Sequence, residues 1–529
     1  MIAPVWTVDE ARAHDREATM QGVPFLSLME RAGAAVAQLV TTHEGIGRQF
    51  LILVGPGANG GDGLVAARLL ARHNQVTVAL LNGHPRFAGS AQLMQAAEAF
   101  GAIMTDNRGA SEVLEGPLDA VIDGVLGTGY HGGWQGIPGQ AVLEDVSRQK
   151  VPVYAIDILS GVDANTGEYD GPWQNVRATV TFGAPKWGHF CQVGATLTGQ
   201  LTVADIGFAT TSSGGQWMHP ALAATFRPEI SEWGHKFQKG RVVVVGGSRG
   251  MVGAPLLSGR AALKTGAGLV DVMIPQKAIG AMAAPLSLMV WPASDTPDGH
   301  LHLRTRDWER LAYADGIVVG PGMGRKAGAG MLHRLIKIGK PMVIDADGLS
   351  LLARSPHLRT AIDSRVVLTP HSGEMARLLE RTPQNVEQNR PQAVKDAIAL
   401  FGASILLKGP YTLSSTESHM MVNTSGGSEL ATAGSGDVLA GIIGALLVGG
   451  CPPYRAMALG AYLHGWAGYH AAQTQGTVTA EDIIEGIGMA WQSIKQRKWP
   501  RRAPYGDTVY DGESVSAHTN GDQFDGHPT

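Results

Sequence analysis

Phe50-Leu51-Ile52-Leu53-Val54-Gly55-Pro56-Gly57-Ala58-Asn59-Gly60-Gly61-Asp62-Gly63 decides the fold of the first half of this 529-residue chain. Five consecutive apolar residues read as a buried strand, a glycine-rich loop follows, and residues 64–72 carry a helical pattern. A strand without polar alternation is covered on both faces, which is the property of a parallel sheet flanked by helices. The unit recurs at 76–81, 120–122 and 153–156, with a helix-like stretch at 141–148. A second series of strands starts at 241–246 and continues through 316–319, 342–344, 366–368 and 405–407, with helices at 254–265 and 394–401 between them. The chain therefore reads as two independent α/β domains, residues 1–215 and 225–495, joined near the small, polar stretch 209–215. Residues 500–529 lose apolar periodicity and read as a disordered tail.

Composition limits the partners. Hydrophobic residues make up 44% and charged residues 17%, with a net charge of −4, which favours neither nucleic acid nor an anionic membrane surface. Cys191 and Cys451 are too few for a disulfide framework. No basic-then-apolar leader is visible at Met1, and the apolar run 438–450 is too short to span a bilayer, so a cytoplasmic location is expected.

In a parallel sheet the ligand crevice lies outside the carboxyl ends of the strands. The first half places the Asn59 loop there, with Asp123 and Asp157 closing two further strands. The glycine pattern lacks the spacing of the dinucleotide fingerprint. Asn59, Asp123 and Ser160 together offer hard oxygen ligands to an alkali or alkaline-earth cation, although both acids could simply cap turns. In the second half, loops 320–324, 369–374 and 408–412 converge with Thr432-Ala433-Gly434-Ser435-Gly436-Asp437, which runs into a helix. Unpaired N–H groups at a helix start suit a phosphate, Lys408 adds charge, and Asp437 is placed to take a proton from a hydroxyl. Asp345 and Asp347 either approach a phosphate-held Mg²⁺ or start the helix at Leu349. His371 is a candidate polar contact, and His464 reads as packing.

These motifs, taken in order, resemble the bifunctional NAD(P)H-hydrate repair enzymes over nearly the whole chain to about residue 495. Residues 22–24, 28–33 and 59–63 and the Asp123 and Asp157 strand ends are similar to the epimerase domain. Residues 245–248, 265–268, 320–324, 369–374, 408–412 and 433–437 are similar to the ADP-dependent dehydratase domain. The resemblance implies a Rossmann-like three-layer sandwich followed by a ribokinase-like one. It implies epimerisation of R and S hydrates, NADHX and NADPHX, and ADP-driven dehydration of the S form. It assigns Asp437 and Asp157 as catalytic residues. The epimerase pocket would be Ala58, Asn59, Gly60, Gly61, Asp62, Gly127, Thr128, Gly129, Tyr130, His131, Gly132, Gly133 and Asp157. The dehydratase substrate would meet Ala254, Gly322, His371 and Asp437, and the nucleotide Lys408, Gly409, Pro410, Tyr411, Thr412 and Gly436. K⁺ would sit on Asn59, Asp123 and Ser160, Mg²⁺ would accompany ADP, and the chain would be a homo-oligomer. Ala58, Arg31 and Leu159 depart from the Asn, Asn and Pro usual in the family. The competing reading is a ribokinase-like kinase of a small hydroxylated metabolite carrying a non-catalytic nucleotide-binding first half.

Overall fold

Alternate residues of each central strand face opposite sides, and both sides are covered. Phe50, Ile52 and Val54 pack with Leu64 and Val36 on one face, while Leu51 and Leu53 pack with Val142 and Leu143 on the other. The same split places Val243 and Val245 in one core and Val242 and Val244 in another. Each half is thus helix, sheet and helix in three layers. The computed structural model describes residues 3–208, 214–228, 235–281, 287–498, 500 and 505–509.

Among the described residues the first sheet has eight strands, in the order Tyr505–Val509, Gln200–Asp205, Val176–Phe182, Val153–Ile156, Ala120–Gly124, Gln49–Val54, Gln75–Leu80 and Ile103–Thr105. All its pairings are parallel. The second sheet has eleven strands, parallel from Met289–Ala293 to Ser404–Leu407 and closed by the antiparallel strands Leu413–Ser415 and Met420–Val422. Gly215–Trp217 pairs with Met420–Val422, and Pro4–Val5 pairs with Gly215–Trp217 at the outer edge.

Three expectations are corrected. The halves are not independent: Pro4–Val5 belongs to the second sheet, and Trp187, Phe190 and Leu201 share one apolar cluster with Val243, Val245 and Leu407. A boundary at residue 215 falls inside a strand of the second sheet, and residues 209–213 of the expected linker lie outside the described residues. The tail expected to be disordered contains Tyr505–Val509, which satisfies the open edge of Gln200–Asp205 as a parallel strand. The helices Pro453–Thr474 and Ala480–Lys495 pack over Ser435–Val448.

The helix after the first strand begins at Ala58, so Asn59 to Gly63 forms its first turns and not a loop. Gly60 and Gly61 permit this. A Cβ would lie 2.2 Å from the Gly55 carbonyl oxygen at Gly60 and 2.4 Å from the Met29 sulfur at Gly61. Close packing of the helix on its neighbours outweighs the poor helix propensity of glycine.

Candidate functional sites

A cavity of about 460 Å³ opens at the carboxyl ends of the first sheet's strands. Its walls include Ala58, Asn59, Asp62, Gly127, Thr128, Gly129, Tyr130 and Asp157, together with Trp6, Asp15 and Lys186. Asp157 is buried with a φ of +65° and is held from several sides. The Lys186 ammonium donates to its Oδ1 at 2.6 Å, and the Thr181 hydroxyl donates to the same oxygen at 2.9 Å. His189 Nε2 lies 2.9 Å from the Asp157 carbonyl oxygen, while Nδ1 of that ring accepts the Lys186 N–H. Burial alone would raise the Asp157 carboxyl, but Lys186 and these hydrogen bonds hold it below the usual value. Asp62 moves the other way. Burial first, then the charges of Asp157 and Asp15, push it well above the carboxylate range. One cavity thus sets the carboxyls of Asp157 and Asp62 in opposite directions.

The proposed cation ligands are also together. Ser160 donates through its Oγ to Asp123 Oδ1 at 2.6 Å and through its N–H to Oδ2 at 2.8 Å. Asn59 donates its amide to the carbonyls of Leu126 at 2.9 Å and Ile156 at 3.1 Å. Gly60 and Gly61 face packing contacts and not the cavity. His131 points to Asp163 at 3.0 Å, and Tyr130 donates to the Gly133 carbonyl at 2.6 Å, so 130–133 forms an outer loop tied back on itself.

The second site gathers around Asp437, in the first turn of Ser435–Val448. Its carboxyl is pushed up to about 7, by burial first and then by the charge of Asp345, against the opposing pull of Lys408. Asp347 and Glu374 add to the rise. Lys408 does not stand free for a phosphate: its ammonium is 2.7 Å from Asp345 Oδ1 and 3.9 Å from Glu374 Oε2. Asp345 also accepts from Thr369 Oγ1 at 2.8 Å. Asp347 starts the helix Asp347–Ala353 and accepts the Gly324 N–H at 2.8 Å. A Cβ on Gly436 would sit 3.3 Å from Lys408 Nζ, so glycine leaves room at the helix mouth. Gly322 lies against Ala254, where a Cβ would come within 3.3 Å of the alanine methyl. His371 caps Ser372–Leu379, with Nδ1 accepting from Gly373 N–H at 3.0 Å and its ring half exposed toward the site.

Four supporting residues escaped the sequence reading. Lys186 lies past the end of the unrecognised strand Val176–Phe182, at the cap of the short helix Trp187–His189, so no strand-end signal pointed to it. Asp15 and Trp6 come from the N-terminal segment and carry no local motif. His464 was read as packing, yet its Nε2 lies 3.1 Å from the Ser435 hydroxyl, and burial lowers the ring to about 4, so it meets Ser435 neutral. Among the described residues there is no group of three or more His, Cys, Asp and Glu suited to a metal, and no helix long and apolar enough to cross a membrane.

Two three-layer α/β halves, each with a paired-charge cluster near the carboxyl ends of its strands, are the architecture of a two-site enzyme. Family models agree: residues 242–488 match NAD(P)H-hydrate dehydratase, and residues 26–188 match the YjeF-related protein N-terminus. The chain is 36% identical to the bifunctional NAD(P)H-hydrate repair enzyme of Moorella thermoacetica over 90% of its length and 94% of that protein. It is 34% identical to the one of Escherichia coli, covering 91% and 93%. Among solved structures, a ribokinase-like superfamily protein from Enterococcus faecalis aligns with a TM-score of 0.46 at 25% identity, covering 55% of this chain and 99% of that one. The chain belongs to the family of bifunctional NAD(P)H-hydrate repair enzymes.

Proposed function

We propose that this chain restores hydrated NADH and NADPH, with the first site interconverting the R and S hydrates and the second dehydrating the S form at the expense of ADP. The observation that carries the reading is the arrangement of its acids: Asp157 held by Lys186 and Thr181 in a cavity it shares with Asp62, and Asp437 in the first turn of Ser435–Val448 beside the Lys408–Asp345 pair. In the first cavity, Asp62 gives its proton to the ring hydroxyl as the C–O bond breaks with the push of the ring nitrogen. The Asp157 carboxylate faces the resulting planar cation. Water then adds to the opposite face and returns the proton to Asp62. In the second site, Asp437 takes the proton of the hydroxyl as its oxygen attacks the β-phosphorus of ADP and AMP leaves. The N–H groups of Gly434 to Gly436 receive the phosphoryl oxygens. Phosphate then departs with the ring C–O electrons, and loss of the neighbouring ring proton restores the double bond.

K⁺ fits the first site, because fully buried Asp123 has only uncharged partners in Ser160 and Val125, and Asn59 and Ser160 add hard oxygens. Mg²⁺ fits the second, held by nucleotide phosphates beside Asp345 and Asp437, where it would offset phosphate charge. Ala254, Gly322 and His371 would border the hydrate, and residues 408–412 with Gly436 the nucleotide. The same reading places the protein in the cytoplasm as a homo-oligomer, for which half-exposed Phe25 and Leu26 offer an apolar patch.

The test follows NAD(P)H absorbance from mixed R and S hydrates supplied with ADP or ATP. Recovery of both epimers supports two working sites. A stall after the S form removes the epimerase assignment, and a stable phosphorylated product would move the reading to a metabolite kinase.

A further inference from the structure

The nucleotide loop of the second half is braced by residues of the first. Phe190 is 2% exposed, and its ring meets Tyr411 edge-on with centroids 5.3 Å apart. Tyr411 has a φ of +51°, a left-handed conformation that a bulky L-residue adopts only where its surroundings impose it. Two residues on, Gln192 donates its side-chain amide to the Gln388 carbonyl at 2.8 Å and to the Thr166 carbonyl at 3.2 Å, so it spans both halves. Gln388 stands two residues before buried Arg390, whose guanidinium donates to the carbonyls of Leu407 and Lys408 at 3.3 Å each. The loop 408–412 is therefore supported on one side by Arg390 and on the other by Phe190. The bracing segment is itself fixed, since Lys186 and His189 at its start are bound to Asp157.

We infer that Phe190 and Gln192 are positioning residues for the adenosine diphosphate of the second site: they hold 408–412 in the shape that receives the nucleotide, without touching the reacting atoms. The inference rests on the reading that ADP binds this loop. A pre-shaped loop spares the nucleotide the cost of ordering it, so the effect falls on affinity.

The experiment measures dehydration kinetics of the full chain against ADP concentration in Phe190→Leu and Gln192→Ala, with Tyr411→Ala in parallel. Phe190→Leu should raise KM for ADP about tenfold and Gln192→Ala about threefold, with kcat within twofold and R-to-S conversion unchanged. Gln192→Ala removes only the two side-chain hydrogen bonds to Gln388 and Thr166 and keeps the test sound if Phe190→Leu fails to fold. An unchanged KM for ADP in Gln192→Ala and in folded Phe190→Leu, while Tyr411→Ala raises it, overturns the positioning role alone. If Tyr411→Ala also leaves it unchanged, the loop is not the nucleotide site and the inference falls with that reading. A matching loss of epimerisation would mark general damage and also overturn it.

Discussion

Asp157 and Asp437 stand at equivalent ends of two similar sheets and are set to opposite purposes. Asp157 shares its cavity with Lys186 at 2.6 Å, and that pairing holds its carboxyl below the usual value despite burial. Asp437 also has a lysine nearby, but Lys408 is committed to Asp345, and the surplus carboxylates lift Asp437 to about 7. The partner's own partner decides. An ammonium bonded to the carboxylate itself lowers it; an ammonium already paired with another acid leaves a base that loads and unloads its proton near neutrality.

Removing the poised base should have the largest effect. Asp437→Asn should lower dehydration by about 10³-fold, within the usual range for a general base, while ADP and hydrate binding persist in calorimetry. Lys186→Met tests the pairing at Asp157. Breaking a buried pair from one side should cost about 3 kcal/mol in urea denaturation and stop R-to-S conversion, with dehydration by the surviving folded enzyme retained. Asp345→Asn sharpens the contrast, since it removes a negative neighbour and frees Lys408 to approach Asp437. The dehydration rate should rise with pH through about 7 in the native enzyme, because the ionised form is the base, and that limb should shift to lower pH by about one unit in the variant. The sign for stability is the reverse: a raised carboxyl favours the fold fully below its unfolded value, and that contribution fades as pH rises through about 7. Smallest should be exchange of K⁺ for Li⁺, a few-fold loss confined to epimerisation, read as the R-hydrate conversion rate.

The strands and their terminal acids were legible because buried parallel strands are written as unbroken apolar runs, as at 50–54 and 241–245. Val176–Phe182 was not, since Arg177, Thr179 and Thr181 interrupt its apolar pattern, and Lys186 lies past its end. Asp437 could be read from its place after Gly434 to Gly436. What tunes it could not, because Asp345, Glu374 and Lys408 reach it from three separate strand ends. His464 meets Ser435 only through the packing of two helices 29 residues apart in sequence. Local chemistry was visible; the settings that assembled neighbours impose on it were not.

The pairing of Pro4–Val5 with Gly215–Trp217 also sets an order of events during synthesis. Gly215–Trp217 leans on Met420–Val422, so the strand that receives the chain's beginning is itself seated only when most of the chain has left the ribosome. Trp6, one residue on, bridges to Lys186 and lines the first cavity, so that cavity gains its last wall late. Pro4 to Trp6 thus take their place only after strands more than two hundred residues later in the chain.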